Sequence, residues 1–313
     1  MSTGKPFITY EQQMDKLQNE KNLIISDKDF AESVLKRIGY FSLIGGYKKL
    51  LSNLTTRKYK DNTTFEEVVA LYTLDENLRS VFLKYLLKIE QAMCSMLSYY
   101  FTEKHGELQS EYLSMSNYDQ NPKKTNTLTK LVSALQYIAL KSNDHLFVCH
   151  HRNKHGNVPL WVLANVLTFG NISKMFQCYT NDLQFRISKN FSNVNEKELV
   201  QYLKVLTKFR NVCAHNERLF SFTTRDNIPD TTIHSKLGIA KVGRQYIYGK
   251  RDLFSVVIAF RYLLPRSDFF EFKDTLARTV DRFVKQTTHI TYSELLHEMG
   301  FPANWKKISS YKV

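Results

Sequence analysis

A chain of 313 residues with 43% hydrophobic and 24% charged side chains has the material for a sizeable core, and its 13% aromatic share argues against general disorder. Its 44 basic side chains outnumber 30 acidic ones, giving a net charge of +14 and a field suited to a polyanion: RNA, DNA or an anionic membrane surface. Cys94, Cys149, Cys178 and Cys213 form no C-x-x-C pair, and no apolar stretch approaches the roughly 20 residues that span a bilayer; a soluble cytoplasmic protein with reduced thiols and no membrane contact is expected.

In chain order, Thr9-Tyr10-Glu11-Gln12 reads as a capping box opening a short helix. A second helix follows, with Ser26 or Asp29 near its start, Phe30, Val34, Leu35 and Ile38 at helical spacing, and Gly39 as its stop. Gly45-Gly46 then predicts a bend. Thr64-Phe65-Glu66-Glu67 is a second capping box, and Val68, Leu71, Leu78, Phe82, Ile89, Met93, Met96 and Tyr100 continue as one long amphipathic helix or two in series. Residues 105–126, polar and broken by Gly106 and Asn121-Pro122, read as a loop before a helix over 128–140. Pro159 suits the first turn of a helix over 160–169 that Gly170 would end. Asn195 caps a helix with Glu196 and Glu198 in its first turn and Leu199, Leu203, Leu206 and Phe209 as its buried stripe. Gly243, Gly249 and the β-prone Gln245-Tyr246-Ile247-Tyr248 between them suggest one small hairpin, and helices over 252–264, 268–286 and 292–299 complete a mainly α chain.

The residues that draw chemical interest end the Asn195-capped helix. Arg210 and His215 are about 500° apart on an α-helix, a net 140°, with a rise of about 7.5 Å, whereas Asn211 and His215 stack one turn apart on one face. An imidazole can take or return a proton near neutral pH, and a guanidinium can hold two phosphate oxygens, so the group suits RNA cleavage by its own 2′-hydroxyl. Spacing alone equally suits a structural pair, since the helix dipole stabilises cations at that end. Cys149-His150-His151 with His155 lacks a second cysteine pair and has Arg152 and Lys154 beside it, so a basic loop is favoured over zinc. The chain contains no G-x-x-x-x-G-K-[ST] loop and no G-x-S-x-G elbow.

The string Lys208-Phe209-Arg210-Asn211-Val212-Cys213-Ala214-His215-Asn216-Glu217-Arg218-Leu219 resembles the R-N-x-x-A-H signature of HEPN ribonucleases, especially the Abi-like abortive-infection proteins of bacteria. Other blocks resemble the same family: Lys5-Pro6 with Tyr10-Glu11-Gln12-Gln13 and Leu23-Ile24-Ile25, Ile38-Gly39-Tyr40-Phe41 through Gly46-Tyr47, and Leu71-Tyr72 with Asp75, Leu78-Arg79 and Ile89-Glu90. His155-Gly156-Asn157-Val158-Pro159-Leu160-Trp161, Leu167 through Ser173, and Gly300-Phe301-Pro302-Ala303-Asn304-Trp305 extend the likeness over nearly the whole chain. One position departs from it: where the family commonly places an Arg four residues after the Glu, this chain has Cys94.

The resemblance implies a HEPN-like helical bundle over residues 61–222, an N-terminal helical extension over 1–60, and a C-terminal hairpin and helices over 223–313. It implies a metal-independent endoribonuclease, without cofactor, acting in anti-phage defence as a homodimer whose two motifs face each other, and regulated by a bound structured small RNA. Arg210, His215 and Asn211 would be catalytic, Glu90 and Asn216 supporting, and Arg79, Arg152, Lys154 and Arg218 in contact with RNA. The alternative is a non-catalytic RNA-binding or antitoxin-like protein with a structural Arg/His pair; a nucleotide-transferring HEPN enzyme is disfavoured because no carboxylate cluster for a divalent metal is visible.

Overall fold

The computed structural model describes residue 4, residues 6–53 and residues 55–312; Lys5 of the opening block lies outside them. Local capping chemistry sets most helix starts. Thr9 and Gln12 form a reciprocal box on α1 (Tyr10–Asp15), which runs on into a wider π turn at Lys16–Glu20. Neither Ser26 nor Asp29 caps α2 (Lys28–Ile38); the Asp27 carboxylate does, accepting from Phe30 N–H at 2.8 Å, and Gly39 at φ 84° stops the helix. In place of a bend at Gly45-Gly46, Phe41–Gly45 makes a π turn, whose extra residue lets both Leu43 and Ile44 face the core.

The second capping box opens α3 (Phe65–His105), a single unbroken helix of 41 residues, roughly 60 Å long. It is the axle of the molecule, with α7, α8, α9 and α10 packed along it and α13 laid against it. Its buried positions are mostly apolar, but Glu67, Asp75, Arg79 and Glu90 are buried too. Burying charge costs several kcal/mol unless it is paired, so each of these must have partners. Glu67 accepts from Thr287 Oγ1, Thr288 N–H and His289 Nδ1 at 3.0, 2.9 and 2.7 Å, latching the segment before the last helix onto the start of α3. The other three converge on the site described below.

The expected loop over 105–126 is partly helical: α4 (Gln109–Leu113) and short 3-10 turns at Met115–Asn117 and Pro122–Lys124. Two tyrosines explain the order, since Tyr112 and Tyr118 are buried and donate to the carbonyls of Val158 and Tyr112 at 2.7 and 2.8 Å. Then come α5 (Thr125–Leu140), α6 (Leu146–His155) where a basic loop was expected, and α7 (Leu160–Leu163) with a 3-10 turn, Ala164–Val166. Gly170 does not end that helix. The chain breaks earlier, at Leu167-Thr168, because the Thr168 side chain accepts from Asn171 N–H and starts α8 (Phe169–Cys178). Gly170 sits in the first turn of α8, where a Cβ would meet Thr207 of α10 at 3.8 Å.

After α9 (Asn181–Ser188), α10 (Glu196–Ala214) opens with a capping box between Asn195 and Glu198 and buries Leu199, Tyr202, Leu203, Leu206 and Phe209 against α3, α8, α9 and α12. The chain ends with α11 (Thr232–Lys236), the antiparallel pair β1 (Lys241–Val242) and β2 (Gln245–Tyr246), α12 (Leu253–Leu263), α13 (Arg266–Val284), α14 (Tyr292–Met299) and a 3-10 turn at Trp305–Ser310. Gly243, at φ 62°, takes the first place in the hairpin turn. Gly300 ends α14 at φ 75°, where a Cβ would lie 2.4 Å from Asp252 Cγ, so only glycine fits the closing block at this point. The class is mainly α with one two-stranded sheet among the described residues, and one hydrophobic core runs from Met14 to Ile308. No helix among those residues is long and apolar enough to cross a membrane.

Candidate active site

The geometry of the C-terminal end of α10 follows from how the helix stops. His215 is the last residue before the chain turns away, its N–H bonded to Asn211 C=O at 2.9 Å. Asn216 then takes a left-handed conformation at φ 56°, and Glu217 N–H reaches back to Val212 C=O at 3.0 Å. This is the Schellman arrangement with asparagine in the place glycine most often fills. Asn216 thus acts through its backbone, releasing the chain so that His215 is left at an exposed corner.

Arg210 points the other way, toward α3. Its Nε donates to Glu90 Oε2 at 3.2 Å, with the Glu90 side chain 11% and the Arg210 side chain 27% exposed. The buried Glu90 carboxylate therefore fixes the Nε edge of the guanidinium, while the Arg210 side chain keeps part of its surface exposed. Asn211 and His215 are both exposed, one turn apart, and among the described residues neither side chain finds a hydrogen-bond partner. The braced cation and the two open polar groups thus share one helix end.

The segment leaving the motif is pinned by Asp75, which is fully buried. Its carboxylate accepts from Tyr47 OH at 2.7 Å, Arg79 Nη1 at 2.7 Å, Leu219 N–H at 3.0 Å and Phe220 N–H at 2.6 Å. Burial pushes this carboxyl up, against the pull of those donors. Arg79 Nη1 also donates to Glu217 C=O at 3.3 Å, and Arg218 donates to Gly46 C=O. Tyr47 stacks on Phe220 with ring centres 5.8 Å apart. Three sequence-distant blocks, 46–47, 75–79 and 217–220, therefore close around one buried carboxylate directly behind His215.

This placement corrects part of the expected RNA-contacting set. Arg79 is 4% exposed and bound to Asp75, so it cannot reach a phosphate; instead it holds the 217–220 segment in place. Arg152 lies on α6, which packs on α5 and α7, and is committed to the end of α5 through Ala139 and Ser142 C=O and Asn143 Oδ1 at 3.3, 3.0 and 2.7 Å. Lys154 is exposed on the same helix, and Arg218 is exposed beside the motif. Cys94, where the family pattern commonly has Arg, is buried with Sγ 3.4 Å from Ala164 C=O, and burial pushes its thiol up to about 12. That position cannot meet RNA here. The rings of His150, His151 and His155 lie 5.3–6.0 Å apart on α6, but no three His, Cys, Asp or Glu side chains among the described residues are grouped to hold a metal ion.

Sequence reasoning missed the pinning role of Asp75. A recognisable signal was present, because an aspartate in the middle of an apolar helical stripe, one turn before an arginine, has to be paired inside the fold. No curated protein and no solved structure matches the chain. A family model described as Abi-like protein matches residues 33–221, from α2 through the pinned segment after His215. The chain belongs to the Abi-like protein family, and membership implies a role in abortive infection, the defence against phage.

Proposed function

We propose that the protein is a HEPN-type endoribonuclease that needs no metal ion, with Arg210, Asn211 and His215 as its reaction centre and Glu90 as a positioning residue. The observation that carries this reading is the pairing of a guanidinium braced on one edge by Glu90 with an exposed imidazole that has no partner among the described residues, at the same helix end. In the proposed reaction the imidazole takes the proton of a ribose 2′-hydroxyl, whose oxygen attacks the adjacent phosphorus. The P–O5′ bond breaks, a proton passes to the leaving oxygen, and the guanidinium holds the non-bridging oxygens as charge builds on them. The products are a 2′,3′-cyclic phosphate and a free 5′-hydroxyl. Nothing in these steps calls for a Lewis acid, so activity is expected to persist in a chelator.

An in-line displacement places the attacking and leaving oxygens on opposite sides of phosphorus. One imidazole cannot easily serve both, so the reading includes a homodimer with two motifs facing one phosphate. Regulation by a bound structured small RNA belongs to the same reading, supported by the net charge of +14. The alternative, an RNA-binding protein with a structural Arg/His pair, is separated by replacing His215 with Ala. That change should abolish RNA cleavage and toxicity and leave RNA affinity within a few-fold; unchanged toxicity would favour the binding protein.

A further inference from the structure

The exposed face of α10 carries a pattern that the reaction centre does not use. Lys197, Gln201, Lys204, Lys208, Asn211 and His215 follow one another at intervals of four, three, four, three and four. On an α-helix those steps keep all six within roughly 80° of arc, over a rise of about 27 Å. Each is exposed or half-exposed, while the opposite face of α10 is the buried stripe. The row therefore runs straight from the start of α10 to His215.

At its upper end the row enters a groove of 870 Å³ between α8, α9 and α10, where Gln177, Asn181, Gln184 and Phe185 face Gln201 and Lys204. Phe185 is 51% exposed at the groove's edge, and Lys189 Nζ lies 4.9 Å from its centre. Two carboxylates also line the groove. Asp182 is neutralised by Lys104 at 2.7 Å, and Glu196 belongs to the first turn of α10, where the helix dipole favours an acid. By contrast, Lys189, Lys197, Lys204 and Lys208 form no ion pair among the described residues, although lysines elsewhere do, as in Lys84–Glu271 and Lys88–Asp268 between α3 and α13.

Unneutralised cations in file, amide side chains between them and an open aromatic ring at one end are what a single nucleic-acid strand needs: phosphates track the cations and a base stacks on the ring. A second copy laid over the Lys197–Lys208 stretch fits poorly, since a two-fold axis there would set lysine rows against each other; the proposed dimer needs contact only at the His215 end. We propose that this face of α10 is a guide for single-stranded RNA, leading it from a base stacked on Phe185 to the helix end that carries His215. The inference rests on the ribonuclease reading for the direction of the strand, but the binding surface stands on its own observations. Its length suits on the order of four nucleotides, the short end of single-strand footprints.

The test is binding of an unstructured RNA 12-mer, followed by fluorescence anisotropy across a salt series, with cleavage of the same RNA measured in parallel. The triple variant Lys197→Gln/Lys204→Gln/Lys208→Gln should bind at least about tenfold more weakly, with a salt slope lower by about two, as three lost single-strand phosphate contacts require. Phe185→Ala should weaken binding by about tenfold and leave the slope unchanged. A control of equal charge, Lys28→Gln/Lys285→Gln/Lys307→Gln, removes exposed lysines from other surfaces and should change affinity by less than about threefold. Equal losses in the two triple variants would overturn the guide in favour of net charge alone. Unchanged RNA affinity with a dimer turned monomer would assign the face to a second copy and overturn it as well. Track-dependent binding without any cleavage would uphold the guide while contradicting the ribonuclease reading; cleavage and binding both intact in the track variant would do the reverse.

Discussion

Arg210→Lys and His215→Gln are each expected to lower RNA cleavage by about 10²-fold or more while leaving the fold intact. For Arg210 the reason is geometric. Glu90 occupies Nε, so in the proposed reaction the other two guanidinium nitrogens form the planar pair that would hold the phosphate. Lysine offers one point charge at the end of a flexible stem and cannot reproduce two parallel bonds; it would also lose the orientation that the Nε contact supplies. For His215 the requirement is proton exchange. Glutamine keeps much of the shape and hydrogen-bonding capacity but cannot accept and return a proton at neutral pH. His215 is exposed at the end of α10, so His215→Gln should shift thermal unfolding by no more than a degree or two, whereas Arg210→Lys weakens the pairing of buried Glu90 and should lower it further without unfolding the chain. Single-turnover rates at saturating protein separate chemistry from binding. A wild-type rate in either variant would contradict the assigned roles.

Asp75→Asn should cost about 3–5 kcal/mol of stability. The substitution puts an amide N–H₂ among Tyr47 OH, Arg79 Nη1 and the amides of Leu219 and Phe220, where only acceptors are wanted, and leaves the buried Arg79 guanidinium without its counter-charge. Once released, the 217–220 segment no longer fixes the corner at His215, so activity should fall even at temperatures where α10 persists. The paired change Asp75→Leu/Arg79→Met removes both charges and should recover part of the stability, because no buried ion is then left alone. Recovery of activity is not expected, since the segment's amides remain unbound. Chemical denaturation of the three proteins measures the effect; a loss under about 1 kcal/mol in Asp75→Asn would show that the network is not what holds the segment.

How much of this was legible in the chain follows from the range of each interaction. The expected capping boxes at Thr9 and Thr64 and the expected N-cap at Asn195 act within three residues, and all three open helices, the last as a capping box too. The hairpin turn at Gly243 and the stop at Gly39 are local in the same way. Helix α6 was hidden because its Cys149-His150-His151-Arg152 run has little apolar periodicity, with Val148 its only buried residue. Order over 105–126 depends on Tyr112 and Tyr118 reaching partners set by the tertiary fold. Gly170 misled for a related reason: beside Thr168, a good N-cap outweighs the tendency of glycine to end a helix. At the site, the helix-end placement of Arg210 and His215 was readable, whereas Glu90 could be named only as a supporting residue through the resemblance, since a solvated or cross-helix ion pair would look the same in the sequence. The burial of Arg79 was not, because an arginine one turn after an aspartate reads equally well as a surface ion pair.

In the proposed reaction the substrate's own 2′-hydroxyl is the nucleophile and His215 moves its proton. The most direct measurement compares the purified protein acting on two RNAs of one sequence, the second carrying a 2′-deoxy sugar at the mapped cleavage position, with EDTA present throughout and product ends identified by mass. The first RNA should give 2′,3′-cyclic phosphate and 5′-hydroxyl ends, and the second should show no cut at that position. Efficient cleavage of the deoxy-substituted RNA, leaving a 5′-phosphate, would mean that water attacks instead, and would contradict the claim.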